Sequence, residues 1–138
     1  MNYLEEFKTG DDKTMQQDID LRVLSLGAGV QSSTLIFKLL EEEIKPVDVA
    51  IFADTGNEPK EVYDWLDYLI KITKNKIDIR VVRNEKNTGN IIKDILSPSG
   101  RFASIPVYTI NKDGTKGNTR RTCTYEYKII PIHKEVRN

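Results

Sequence analysis

The 138 residues make a chain of 15.8 kDa, about the size of one domain, and a chain of that length buries most of its apolar surface on folding. With 38% hydrophobic and 30% charged residues it is composed like a soluble globular protein, and no apolar run is long enough to span a membrane. The 21 basic and 21 acidic side chains cancel, which speaks against nucleic acid as a direct partner, and one cysteine with one histidine excludes an internal disulfide framework or a structural zinc site.

Residues 1–20 carry six acidic and two basic side chains without a sustained apolar period, and read as an N-terminal arm ahead of a domain over 21–138. The start MNYLEEFKTGDDK has neither the basic nor the apolar part of a secretory signal, so a cytoplasmic location is expected. Leu21 to Leu26 is a short apolar run stopped by Gly27-Ala-Gly29, as a buried strand entering a tight turn would be. Leu35, Ile36, Leu39 and Leu40 then recur at helical spacing, with Ser32 or Ser33 as the cap and Glu41 to Pro46 as the end. Asp48 to Ala53 is a second strand, apolar on both faces.

Pro59 suits a first helical position, and Val62, Trp65, Leu66, Leu69 and Ile70 form one buried stripe behind it. Ile77, Ile79 and Val81 alternate with Asp78 and Arg80, which predicts a third strand with a wetter face, toward the sheet edge. A weaker helix over Asn90 to Leu96, a strand over Ile105 to Ile110, a turn at Asn111 to Gly114 and a basic loop over Thr115 to Thr122 follow. The alternating order predicts an α/β fold: a doubly wound, mainly parallel sheet with helices on both faces, Rossmann-like in layout.

In such sheets ligands collect outside the carboxyl ends of the strands, where turn amides and helix N-termini supply positive potential. Gly27 and Gly29 would let the backbone turn tightly and approach a ligand, and Ser32 and Ser33 place hydroxyls at the next helix start. Residues 111–138 add seven basic side chains against three acidic ones, an excess that suits a small phosphorylated ligand as well as a solvated loop. A Walker A loop needs lysine before the Ser, and Gln31 stands there. A dinucleotide fingerprint needs a third glycine where Ser32 stands; it stays open as a minor alternative because Asp54 ends the second strand where a ribose-binding acid belongs.

The segment Ser25-Leu-Gly-Ala-Gly-Val-Gln-Ser-Ser-Thr34 resembles the modified PP-loop of the adenine nucleotide alpha hydrolase superfamily, in its phosphoadenosine phosphosulfate (PAPS) reductase branch, where Gln or a similar residue replaces the Asp of the ATP pyrophosphatases. Phe52-Ala-Asp-Thr-Gly56 is similar to that branch's Asp-Thr-Gly turn, and Cys123 to Ile132 to its segment of Cys, a basic residue and Pro-Ile. The three stand in family order across roughly residues 21 to 132. The resemblance implies an adenine nucleotide, with adenosine over the ends of the first two strands. It implies Ser25, Gly27, Gly29, Gln31, Ser32 and Ser33 as the loop and Asp54, Thr55 and Gly56 as a second binding turn. Arg120, Arg121 and Lys128 are candidate phosphate or sulfate contacts, the planar Arg fork suiting such oxygens.

The family's reductases carry their nucleophilic cysteine in a C-terminal tail, which this sequence is expected to lack, and Cys123 alone cannot hold an iron–sulfur cluster that takes four thiolates. No such cluster is expected in this chain alone, and a homodimer or partner subunit is one way of completing the site. The implied activity uses ATP or a PAPS-type sulfonucleotide, with Mg²⁺, at the α-phosphate or the group attached to it; no side chain stands out as its general base. The alternatives are a module that binds or sequesters the nucleotide without turnover, and an interaction domain that keeps the fold without the ligand. Cys123 reads as a partly buried thiol, His133 as a surface helix residue, Trp65 and Tyr68 as a core stripe and its flank, and Asp54, Asn57 or Glu58 as helix caps.

Overall fold

The structure, a computed structural model, describes residues 21–85, 88–97, 107–118 and 122–138. The expected N-terminal arm, the start of the strand at Ile105 and the pair Arg120 and Arg121 lie outside the described residues. Strands β1 (Val23–Leu26), β2 (Val49–Asp54) and β3 (Ile79–Arg83) form a parallel sheet in the order β1-β2-β3. Helix α1 (Val30–Leu40) connects β1 to β2, and α2 (Lys60–Thr73) connects β2 to β3.

Alternation along the strands decides what each face buries. Ala50 and Phe52 of β2 pack with Leu26 of β1, Ile36 of α1, and Leu66 and Leu69 of α2. Val49, Ile51 and Ala53 point the other way and are buried as well, on the side where α4 (Ile130–Val136) and the π-helical segment Tyr125–Ile129 pack. The uninterrupted apolar run of β2 follows from this: the central strand is covered on both faces. Each fully buried side chain here, such as Ile36, Ile51 or Leu69, contributes roughly 1.5–3 kcal/mol of transfer free energy. Among the described strands β3 lies at the edge, as its sequence predicts, but Val81, expected on its apolar face, is half exposed. These three strands thus make an α/β arrangement, a three-stranded parallel sheet with helices, compatible with a Rossmann-like fold. A doubly wound sheet reverses its strand order, and the order β1-β2-β3 carries no reversal.

Several boundaries differ from the sequence expectation, each for a local reason. α1 starts at Val30 rather than near Ser32, because the Ser33 N–H already donates to the Gly29 carbonyl (3.0 Å) and makes Gly29 the cap. α2 has Pro59 as its cap and begins at Lys60. β3 starts at Ile79, two residues late, because the Lys76 and Ile77 N–H groups turn back to the Thr73 carbonyl (2.8 and 3.0 Å) and close α2. α3 (Ile91–Leu96) is the weaker helix, capped by the Asn90 side chain, which accepts from the Lys93 N–H at 3.0 Å. Strand β4 (Tyr108–Ile110) pairs antiparallel with β5 (Lys116–Asn118), which takes up part of the expected basic loop. The π-helical segment ends where the Ile130 N–H reaches the Tyr125 carbonyl, one residue ahead of Pro131, whose ring has no N–H to keep the α register. No helix among the described residues is long and apolar enough to cross a membrane.

Candidate functional site

Parallel pairing with Leu26 opposite Phe52 brings the exits of β1 and β2 to one edge of the sheet. The Gly27 turn and the Asp54 turn therefore lie side by side, as the sequence expectation requires.

At the first turn the chain runs from β1 through Gly27, Ala28 and Gly29 into α1. The left-handed conformation falls on Ala28 (φ 52°) and not on either glycine. Gly29 is extended (φ −90°, ψ 176°), and a Cβ built on it meets nothing within 4 Å; one on Gly27 meets only the Ser32 Oγ, at 3.9 Å. Neither glycine is demanded by backbone conformation or by packing. The Ser32 hydroxyl laces the turn, accepting from the Gly27 N–H (3.2 Å) and donating to the Gly29 carbonyl (3.3 Å). The Ser33 hydroxyl is buried and accepts from the Trp65 indole N–H at 2.8 Å, tying the start of α1 to α2. Trp65 also stacks on Tyr68 with ring centroids 5.2 Å apart. These bonds leave the N–H groups of Val30, Gln31 and Ser32 without a partner among the described residues, at a helix start with no side-chain cap and no acid in its first turn. They open onto a hollow of about 780 Å³ lined by Ser25, Gly27, Gly29, Gln31, Ser32 and Leu35.

The second turn is built differently. Asp54 is 3% exposed, and its carboxylate accepts from the Gly56 N–H (2.7 Å), the Tyr63 hydroxyl (2.8 Å) and the Arg83 guanidinium. Burial pushes its pKa up, but these three donors outweigh that and hold the carboxyl below its ordinary value. Asp54 is therefore a structural acid that fixes the turn, and it does not cap α2. Gly56 has φ +75°, and a Cβ there would fall inside van der Waals contact of the Gly89 carbonyl oxygen and 2.9 Å from the Asn90 Cα. Gly89 (φ +72°) is in turn pressed by the Arg83 Cδ, 2.7 Å from where its own Cβ would be. The Ile91 N–H donates to the Thr55 carbonyl at 2.9 Å and completes the clamp between the two loops.

The Cys123 segment reaches this region through α3. Asp94 at the start of α3 is buried, accepting from the Thr88 N–H (3.1 Å), the Thr88 hydroxyl (2.7 Å) and the hydroxyl of the fully buried Tyr127. Burial raises the Asp94 pKa and these bonds more than reverse it, so the carboxyl sits low. Asn84 donates to the Glu126 carbonyl at 3.0 Å. With the π-helical segment held this way, the Lys128 Nζ lies 3.9 Å from a Glu58 carboxylate oxygen beside the second turn. Cys123 is partly buried, and His133 is exposed on α4.

Of the residues expected at the site, Ser25, Gly27, Gly29, Gln31 and Ser32 share the hollow, while Ser33, Asp54 and Thr55 are buried supports. Lys128 stands at the second turn, and Arg120 and Arg121 lie outside the described residues. Sequence reasoning missed Tyr63, Arg83, Gly89, Asp94 and Tyr127. One signal was there for Gly89: Thr88-Gly89-Asn90 repeats Thr55-Gly56-Asn57, and these two glycines meet. Among the described residues no group of three His, Cys, Asp or Glu side chains could hold a metal ion. Comparison with known proteins finds no matching family model, no matching curated protein and no matching solved structure.

Proposed function

We propose that this chain is an adenine-nucleotide-binding PP-loop domain of the PAPS reductase type, built on a doubly wound sheet and acting in the cytoplasm on ATP or a sulfonucleotide at the α-phosphate or its attached group. The observation that carries the reading is Gly29. Among the described residues its lack of a side chain serves neither its own backbone nor any neighbour, and it borders three amides without a partner at a helix start. A bare backbone beside free N–H groups is what a phosphate needs in order to approach, and the charge-assisted bonds it would accept explain the missing cap. The nucleoside then extends over the neighbouring exit of β2, with Lys128 beside it and Arg120 and Arg121 as further phosphate contacts. Among the described residues no carboxylate lines the hollow, so Mg²⁺ would arrive on the ligand's own phosphates and water. A second copy or a partner subunit completes the open side of the hollow.

A second reading has an observation in its favour: among the described residues the lining of the hollow contains no titratable side chain, which suits a module that holds the nucleotide without turnover. Calorimetry with ATP, ADP, adenosine phosphosulfate and PAPS tests both. Heat with at least one is expected, and silence with all four removes every nucleotide reading. Where one binds, product analysis with Mg²⁺ separates them: released pyrophosphate or AMP supports chemistry, and intact ligand supports storage.

A further inference from the structure

The second turn contains two carboxylates with opposite situations. Asp54, placed by sequence where a ribose-binding acid belongs, is 3% exposed and spends its oxygens on Gly56, Tyr63 and Arg83. Glu58 stands four residues on, in the same loop at the exit of β2, and is only partly committed. Its Oε1 accepts from the Thr55 hydroxyl at 2.9 Å and faces the Lys128 Nζ at 3.9 Å, while its Oε2 has no hydrogen-bond partner among the described residues. The carboxylate is also held in place. Thr55 is buried, and the Glu58 N–H donates to the Tyr63 hydroxyl at 3.3 Å, the same hydroxyl that serves Asp54.

An oriented carboxylate with a free oxygen is an acceptor without a donor of its own, and the chemistry that matches it is a hydroxyl or a pair of hydroxyls. A phosphate on the amides of Val30 to Ser32 would place the next part of a nucleotide over the neighbouring strand, whose exit is this loop; strands lie about 4.8 Å apart, close to the step from a 5′-phosphate to its sugar. We infer that Glu58, and not Asp54, is the specificity residue that reads a ribose hydroxyl, so that the ligand class is a ribonucleotide and not its deoxy counterpart. This rests on the proposed nucleotide site. Lys128, at the long distance of 3.9 Å, offsets the charge of Glu58 without occupying Oε2.

Calorimetry with ATP, 2′-deoxy-ATP and 3′-deoxy-ATP on the full chain and on Glu58→Gln tests it. Gln keeps an acceptor for Thr55 but exchanges the free oxygen for an N–H₂ donor. The wild type is expected to bind ATP about ten- to hundredfold tighter than at least one deoxy analogue, the range for a hydrogen bond to a charged group. Glu58→Gln is expected to bring that ratio to within about threefold, the loss falling on ATP. Equal binding of ATP and both analogues by the wild type, or an unchanged ratio in the variant, overturns the assignment of Glu58 and leaves the nucleotide site standing. Absence of binding by ATP alone overturns the assignment of Glu58, and silence with ATP, ADP, adenosine phosphosulfate and PAPS together overturns both.

Discussion

Replacing Gly29 by Ser separates a glycine kept for the fold from one kept for a ligand. The position is extended, at φ −90° and ψ 176°, and its Cβ would meet nothing within 4 Å, so serine enters without strain or overlap. Serine also caps a helix slightly better than glycine and has less freedom to lose on folding, which together favour the variant by about 0.5–1 kcal/mol. For a chain of 138 residues that is a rise in Tm of roughly 2–4 °C. The same side chain stands in front of the amides of Val30, Gln31 and Ser32, where its Cβ blocks close approach and its hydroxyl competes for an N–H. Loss of one charge-assisted hydrogen bond, worth about 1.5–3 kcal/mol, lowers nucleotide affinity about ten- to hundredfold. Urea unfolding and calorimetry on one preparation read both quantities. Unchanged affinity would show that no phosphate sits on the bare loop, and a variant less stable by more than about 1 kcal/mol would show that the fold itself requires glycine there.

Three further outcomes follow from the clamp around the second turn. Gly56→Ala combines a left-handed backbone with overlap onto the Gly89 carbonyl and the Asn90 Cα, and is expected to cost about 2–5 kcal/mol by urea unfolding; a loss under about 1 kcal/mol refutes the interlock. Tyr127→Phe leaves a buried Asp94 oxygen without its donor, for an expected loss of about 1–3 kcal/mol, and a variant as stable as the wild type would remove Tyr127 from the support of the site. The carboxyls of Asp54 and Asp94 titrate lower in the folded chain than in the unfolded one. The unfolded state therefore takes up protons first, and the stability these groups contribute is present above the ordinary carboxylate range, near pH 4, and lost as pH falls through the folded values. Urea midpoints measured downward from neutral pH should drop below about pH 4, less steeply in Asp54→Asn; equal slopes in variant and wild type would contradict the assignment.

The elements that carry the site were legible because each obeys one period over most of its length. β2 reads as a run buried on both faces and is one; α2 buries Leu66 and Leu69 of its expected stripe, with Val62 and Trp65 partly buried beside them and Ile70 exposed, and the three motifs fall at element boundaries. Boundaries failed where short-range hydrogen bonds outcompeted the pattern. The serine hydroxyls were expected to cap α1, yet Ser32 turns to Gly27 and Ser33 to Trp65, thirty-two residues away. The role of Asp54 was hidden for the same reason, since Arg83 lies 29 residues along the chain, on the next strand.

The glycines show most clearly what sequence could and could not supply. Reading them as conformational necessities pointed to Gly27 and Gly29, but positive φ and close approach belong to Gly56 and Gly89, where the fold accounts for the missing side chain in full. At Gly29 the described fold accounts for nothing: the backbone angles suit any residue, and no described residue fills the space beside it. A residue that limits helix capping and adds freedom to the unfolded chain carries a small stability cost with no internal return. Such a cost is characteristic of positions shaped by something outside the chain. That argument does not depend on the resemblance of the loop to any family, and it would stand with the Gly29→Ser result even if the bound molecule proved not to be an adenine nucleotide.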